Sequence, residues 1–105
     1  SAVVATRVEA ARRLALARQG MLNSSLPAPD LERWARLEPQ AEVLLRTEME
    51  RGRLTGRGYH RIRRVARTVA DLRAHEADTV GEDDVAVALG FRASPSAALR
   101  SGRAA

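Results

Sequence analysis

The stretch from Thr55 to about His75 constrains the fold more than any other part of the chain. Tyr59, Ile62, Ala66, Val69 and Ala70 recur every three or four residues, the period of one apolar face on an α-helix. Thr55 is placed to cap the start. Arg57, Arg61 and Arg64 fall at i, i+4 and i+7 on a second face, and between Arg57 and Arg73 Asp71 is the one acid among the arginines. A helix of this length needs other elements to cover its apolar face. No segment of the chain sustains the alternation of a strand, so the expected class is all-α, a small bundle of about five helices.

Punctuation residues mark the other four. The first runs from about Ala5 to Arg18, with Val4, Val8, Ala11 and Ala15 on one stripe and Gly20 at its C-terminal cap. Met21 to Ala28 reads as a loop. A short helix follows from about Pro29 to Leu37, with Leu31, Trp34 and Leu37 inward. The third starts at Pro39 and ends before Gly52. Its inner side is assigned to Ala41, Leu44, Leu45 and Met49, with Glu42, Glu48 and Glu50 facing water or pairing with Arg46 and Arg51. The fifth spans Glu82 to Leu89, with Val80 and Val85 stapled around a cap at Gly81. Glu82, Asp83 and Asp84 crowd its first turn, where the helix dipole favours anions. The boundaries predict a helical domain over residues 1–92 and a flexible Ala/Ser/Pro/Gly/Arg tail over 93–105.

Composition removes several kinds of chemistry. The chain has no Cys, so disulfides, thiolate metal sites and cysteine nucleophiles are excluded, which fits a cytoplasmic setting. It has no long apolar run and no signal-peptide pattern at its start, so neither a membrane partner nor secretion is expected. All of its 18 basic residues are Arg. A phosphate-binding loop of the GxxxxGK[ST] type needs a Lys, so this chain is not expected to hydrolyse ATP alone. The net charge of +5 favours anionic partners without requiring nucleic acid.

His60 and His75 lack metal-ligand spacing, and no metal site is expected. Tyr59 and Trp34 read as core anchors, and Arg67 with Asp71 as an i, i+4 pair.

Two stretches carry a resemblance. The first is Arg7-Val8, Ala11-Arg12, Arg18-Gln19-Gly20 and Leu22-Asn23. The second is Leu54-Thr55-Gly56-Arg57-Gly58-Tyr59-His60-Arg61-Ile62 with Arg64-Val65-Ala66-Arg67-Thr68-Val69-Ala70-Asp71-Leu72. Over residues 3 to 92 they resemble the C-terminal lid domain of magnesium-chelatase-like AAA+ ATPases of the ComM/YifB family. Three positions depart from the family pattern. Ala15 replaces a Gln, Arg63 an apolar residue and Gly56 an Ala.

The resemblance implies that Arg57 is a sensor-2 arginine, touching the terminal phosphate of ATP and serving catalysis, with Arg61 beside it in the cofactor site. It also implies ATP and Mg²⁺ as cofactors of the full-length protein, and none in this fragment. The implied partners are the AAA+ core of the same chain and neighbouring subunits of a hexameric ring, with DNA as a possible substrate in recombination or competence. Physical chemistry is compatible with such a role for Arg57. A helix start offers free amides to phosphate, a guanidinium is permanently charged and forked, and Gly56 and Gly58 leave room on either side. Arg61 and Arg64 either extend that surface, contact a neighbour or are simply solvated. The alternatives are a stand-alone Arg-rich helical module that binds DNA or protein, and a histone-like dimer built on the long helix.

Overall fold

A computed structural model describes residues 2–73 and 78–91. Its helices are α1 (Ala2–Gln19), α2 (Leu31–Trp34), α3 (Pro39–Glu50), α4 (Gly56–Arg73) and α5 (Glu82–Gly90), with 3-10 turns at Asn23–Ser25 and Ala28–Asp30. The class is all-α, as expected, and no strand occurs among the described residues. The expected extension of α4 to His75 and the tail over 93–105 lie outside the described residues.

The core lies where α4 meets α2, α3 and α5. Leu26, Leu31, Ala35, Leu45, Ile62, Ala66, Val80 and Val85 are buried together, and half-buried Trp34 and Tyr59 pack against them. These two aromatics therefore act as core anchors. Ile62, Ala66 and Ala70 bury the predicted face of α4 within the bundle itself, and that face is the one a histone-like dimer would need.

The segment from Pro29 to Leu37 is not one helix. A 3-10 turn and a single α-turn end at Ala35, where the backbone leaves helical space (φ −126°, ψ 50°). Arg36 to Glu38 then run extended beside Val80. Val80 N–H donates to Arg36 O at 2.7 Å, and Glu38 N–H donates to Val80 O at 2.9 Å, forming a parallel bridge at Leu37. Pro39 supplies part of the reason, because it biases the residue before it towards extended backbone.

On α3 the inner stripe is Ala41, Leu45 and Glu48, not Met49, which is exposed. Glu48 tolerates burial because Arg53 donates to its Oε2 at 3.1 Å. Glu42 pairs with Arg46 at 3.1 Å as expected. Two glycines stop helices in the left-handed region, Gly20 (φ 78°) after α1 and Gly52 (φ 71°) after α3.

α1 lies outside the main core and packs on α4. Ala11 and Ala15 are its buried residues, while Val3, Val4, Val8 and Leu16 remain exposed.

Candidate functional site

The start of α4 is set by Thr55. Its hydroxyl accepts from Gly58 N–H at 3.0 Å, and its carbonyl accepts from Tyr59 N–H at 2.8 Å. The amides of Gly56 and Arg57 come before the first intrahelical donor, so they have no carbonyl within the helix to bind. Arg57 is the second residue of α4 and is exposed. Arg61 stands one turn further along and is also exposed. Neither guanidinium is hydrogen-bonded or ion-paired to a described residue.

Arg64 is different, although it was predicted on the same face. Its Nε donates to Leu26 O at 2.7 Å and ties the loop after α1 to α4. The remaining arginines of the helix are likewise engaged in the fold. Arg63, at a position that resemblance marked as apolar, is 3% exposed. Its Nη2 donates to Ala35 O at 2.7 Å and Leu31 O at 3.2 Å, and its Nη1 donates to Glu32 at 2.6 Å. It therefore caps the C-terminal carbonyls of α2. Arg73 grips Asp84 with two bonds of 2.9 Å.

Arg67 and Asp71 pair as expected, at 2.9 Å, and both are fully buried. Burial lowers the Arg67 pKa, opposed by the neighbouring Asp71 carboxylate. Asp71 also receives Arg18 Nη1 and Nη2, each at 3.0 Å, and Asn23 Nδ2 at 2.9 Å. Asn23 in turn donates to Thr68 at 3.1 Å and accepts from Gln19 at 2.8 Å. The residues quoted above as Arg18-Gln19, Asn23 and Thr68…Asp71 thus meet in one buried polar network that fastens α1 and its loop to α4. Sequence spacing could not reveal this, because Arg18 and Asp71 lie 53 positions apart.

Asp84 closes the start of α5 by accepting from Gly81 N–H at 2.9 Å. Burial alone would raise its pKa, but the Arg73 guanidinium and the Gly81 amide outweigh that, and the carboxyl sits below its ordinary value. The Glu82, Asp83, Asp84 run thus serves the helix start. Among the described residues no group of three His, Cys, Asp or Glu is arranged to hold a metal ion. His60 stands edge-on to Tyr59, with ring centroids 5.4 Å apart, and His75 lies outside the described residues. No helix among the described residues is long and apolar enough to cross a membrane.

The five helices and the Thr55 cap are those that periodicity and capping predicted, and comparison with known proteins defines the class of this helical domain. The chain belongs to the family described as magnesium chelatase, subunit ChlI C-terminal, which matches residues 1–92. It is 33% identical over 93 residues to competence protein ComM of Haemophilus influenzae, covering 89% of this chain and 18% of that protein. It is 32% identical over 93 residues to the uncharacterized protein YifB of Escherichia coli (strain K12), with the same coverage. The chain therefore spans about one-fifth of the length of these relatives. No solved structure matches it.

Proposed function

We propose that this domain is the nucleotide-responsive lid of a magnesium-chelatase-like AAA+ ATPase, with Arg57 as the sensor-2 arginine. The observation that carries the proposal is the state of that side chain, which is exposed, without a partner among the described residues, and borne on the second residue of α4. Two helix-start amides point the same way. Together they suit an oxyanion, and a fixed guanidinium there would stabilise the charge that develops in phosphoryl transfer.

The same donor set fits the phosphate end of ATP and not its Mg²⁺. Arginines and amides are donors, whereas Mg²⁺ takes oxygen ligands. Carboxylates for the metal, and the loop that cradles the phosphates, would come from the AAA+ core. When bound, Mg²⁺ neutralises charge on the phosphates. Arg57 and Arg61 orient and bind the anion, and movement of the lid as a body would carry nucleotide state to neighbouring subunits. Kinship with competence protein ComM favours a ring motor acting on DNA, in branch migration or unwinding, in the cytoplasm.

The rival reading, a stand-alone DNA-binding helix, loses support from the fate of the arginines. Arg63, Arg64, Arg67 and Arg73 of α4 are all engaged within the domain, which leaves Arg57 and Arg61. ATP turnover by the intact ATPase carrying Arg57→Ala tests the proposal. Turnover should collapse while the domain stays folded, and unchanged turnover would retire the sensor assignment.

A further inference from the structure

The α3–α4 connection and the first turns of α4, which also carry Arg57, form an open recess of about 210 Å³ lined by Arg53, Leu54, Thr55, Gly58, Arg61 and Ile62. No carboxylate among the described residues lines it. Its polar wall is two guanidiniums and a hydroxyl, and its apolar wall is Leu54 and Ile62. Arg53 is half exposed and is anchored through Nη1 to the Oε2 of buried Glu48 at 3.1 Å. One end of the guanidinium is thereby fixed, and its other donors are not used in any described hydrogen bond. Arg61 has no partner among the described residues.

The glycine at 58 helps keep this space open. A Cβ there would stand 3.3 Å from Thr55 Oγ1 and 3.5 Å from Leu54 Cδ2, against the recess wall. Helix propensity alone would favour Ala at a helical position, but a Cβ there would crowd the capping hydroxyl of Thr55 as well as the recess wall.

We propose that this recess is a second phosphate subsite, in which Arg53 and Arg61 bind a phosphate group adjoining the one assigned to Arg57, and Glu48 positions Arg53. The inference deepens the proposed function, on which it rests for the identity of the anion as part of a nucleotide's phosphate chain. A phosphate of a nucleic-acid backbone presents the same chemistry, so the test separates the two sources.

The 105-residue chain is titrated with tripolyphosphate and, separately, with a short single-stranded oligonucleotide, while the Arg Nε–H and backbone amide signals are followed by NMR. Tripolyphosphate should move the signals of Arg53, Arg61 and Gly58 together. Arg53→Ala and Arg61→Ala should each weaken binding about fivefold, the scale of a solvent-exposed charge pair. Gly58→Ala should weaken it with the Arg63, Arg67 and Asp71 signals unmoved, which separates crowding of the recess and the Thr55 cap from unfolding of the domain. Glu48→Ala, which removes the acceptor that anchors Arg53, should abolish the shift of the Arg53 signal on binding, leaving the response of Arg61 in place.

If tripolyphosphate moves Arg57 and leaves Arg53 and Arg61 still, the subsite is refuted and the Arg57 assignment survives. If Arg53 and Arg61 respond while Arg57→Ala leaves ATP turnover intact, the subsite stands and the sensor assignment fails. A response to the oligonucleotide alone overturns the nucleotide as the source of the phosphate.

Discussion

Arg18 and Asp71 face each other across 53 positions of sequence in a two-point contact, each bond 3.0 Å long. The carboxylate is fully buried and the arginine mostly so. With Ala11 and Ala15, and a bond of 3.0 Å from Arg7 Nη2 to Leu72 O nearer the start of α1, this contact and the bonds around it hold α1 on α4. Removing one partner of a buried ionic network strands the others, at a cost of about 3–5 kcal/mol. Asp71→Ala should therefore lower unfolding stability by about that much in urea titrations, because Arg18, Arg67 and Asn23 would each lose a buried charged acceptor. Hydrogen exchange on the same variant should show α1 opening first.

Arg63 leads to a different expectation. Arg63→Ala strips the carbonyls of Leu31 and Ala35 of a buried donor and should cost about 2–3 kcal/mol. Its partner Glu32 is 81% exposed, so Glu32→Ala should cost less than about 1 kcal/mol. Thermal melts of the two variants, compared with the parent, read the difference. Equal losses would mean that the ion pair, not the cap on α2, carries the contribution of Arg63.

Asp84 gives the domain an acid-sensitive point. Its folded pKa lies below its ordinary value of 3.8, so the folded state binds that proton less readily than the unfolded chain. The stabilisation is complete above the unfolded pKa and is lost as pH falls through the folded one. Asp84→Asn should lower the melting temperature near neutral pH and flatten its fall between about pH 5 and pH 2. An unchanged acid slope would show that Asp84 is not linked to folding.

Gly20 and Gly52 end α1 and α3 with φ of 78° and 71°, and nothing stands within 4 Å of where a Cβ would be. Replacing either by Ala meets no clash and tests backbone conformation alone. Each change should cost about 1 kcal/mol in denaturant titrations.

The sequence carried the helix count well because caps and periodicity are local. Thr55, Gly20, Pro39 and the acids before Val85 each mark an end through chemistry confined to a few residues. It failed where tertiary partners decide. Pro29 to Leu37 looked helical, yet Val80, far along the chain, draws Arg36 to Glu38 into an extended bridge. Glu48 was expected to face water or pair with Arg46 or Arg51, yet it is buried and pairs with Arg53, and the Arg67–Asp71 pair, local in sequence, is buried among partners that lie far along the chain. A long charged side chain hides when its partners are distant in sequence, and spacing does not report those partners. For the same reason Arg57 and Arg61 stood out through family resemblance, while Arg53, three positions before Gly56 and fixed by Glu48, did not.

Arg57 holds an exposed guanidinium, unpaired among the described residues, at the head of α4. Steady-state ATP hydrolysis by the intact ATPase, comparing the parent with Arg57→Ala and Arg57→Lys, directly tests its assignment as the sensor-2 arginine. Loss of a phosphate-stabilising donor should cut kcat by about a hundredfold or more in Arg57→Ala, with partial recovery in Arg57→Lys and an unaltered melting temperature for the domain. A kcat equal to the parent's in a folded Arg57→Ala protein would contradict that assignment.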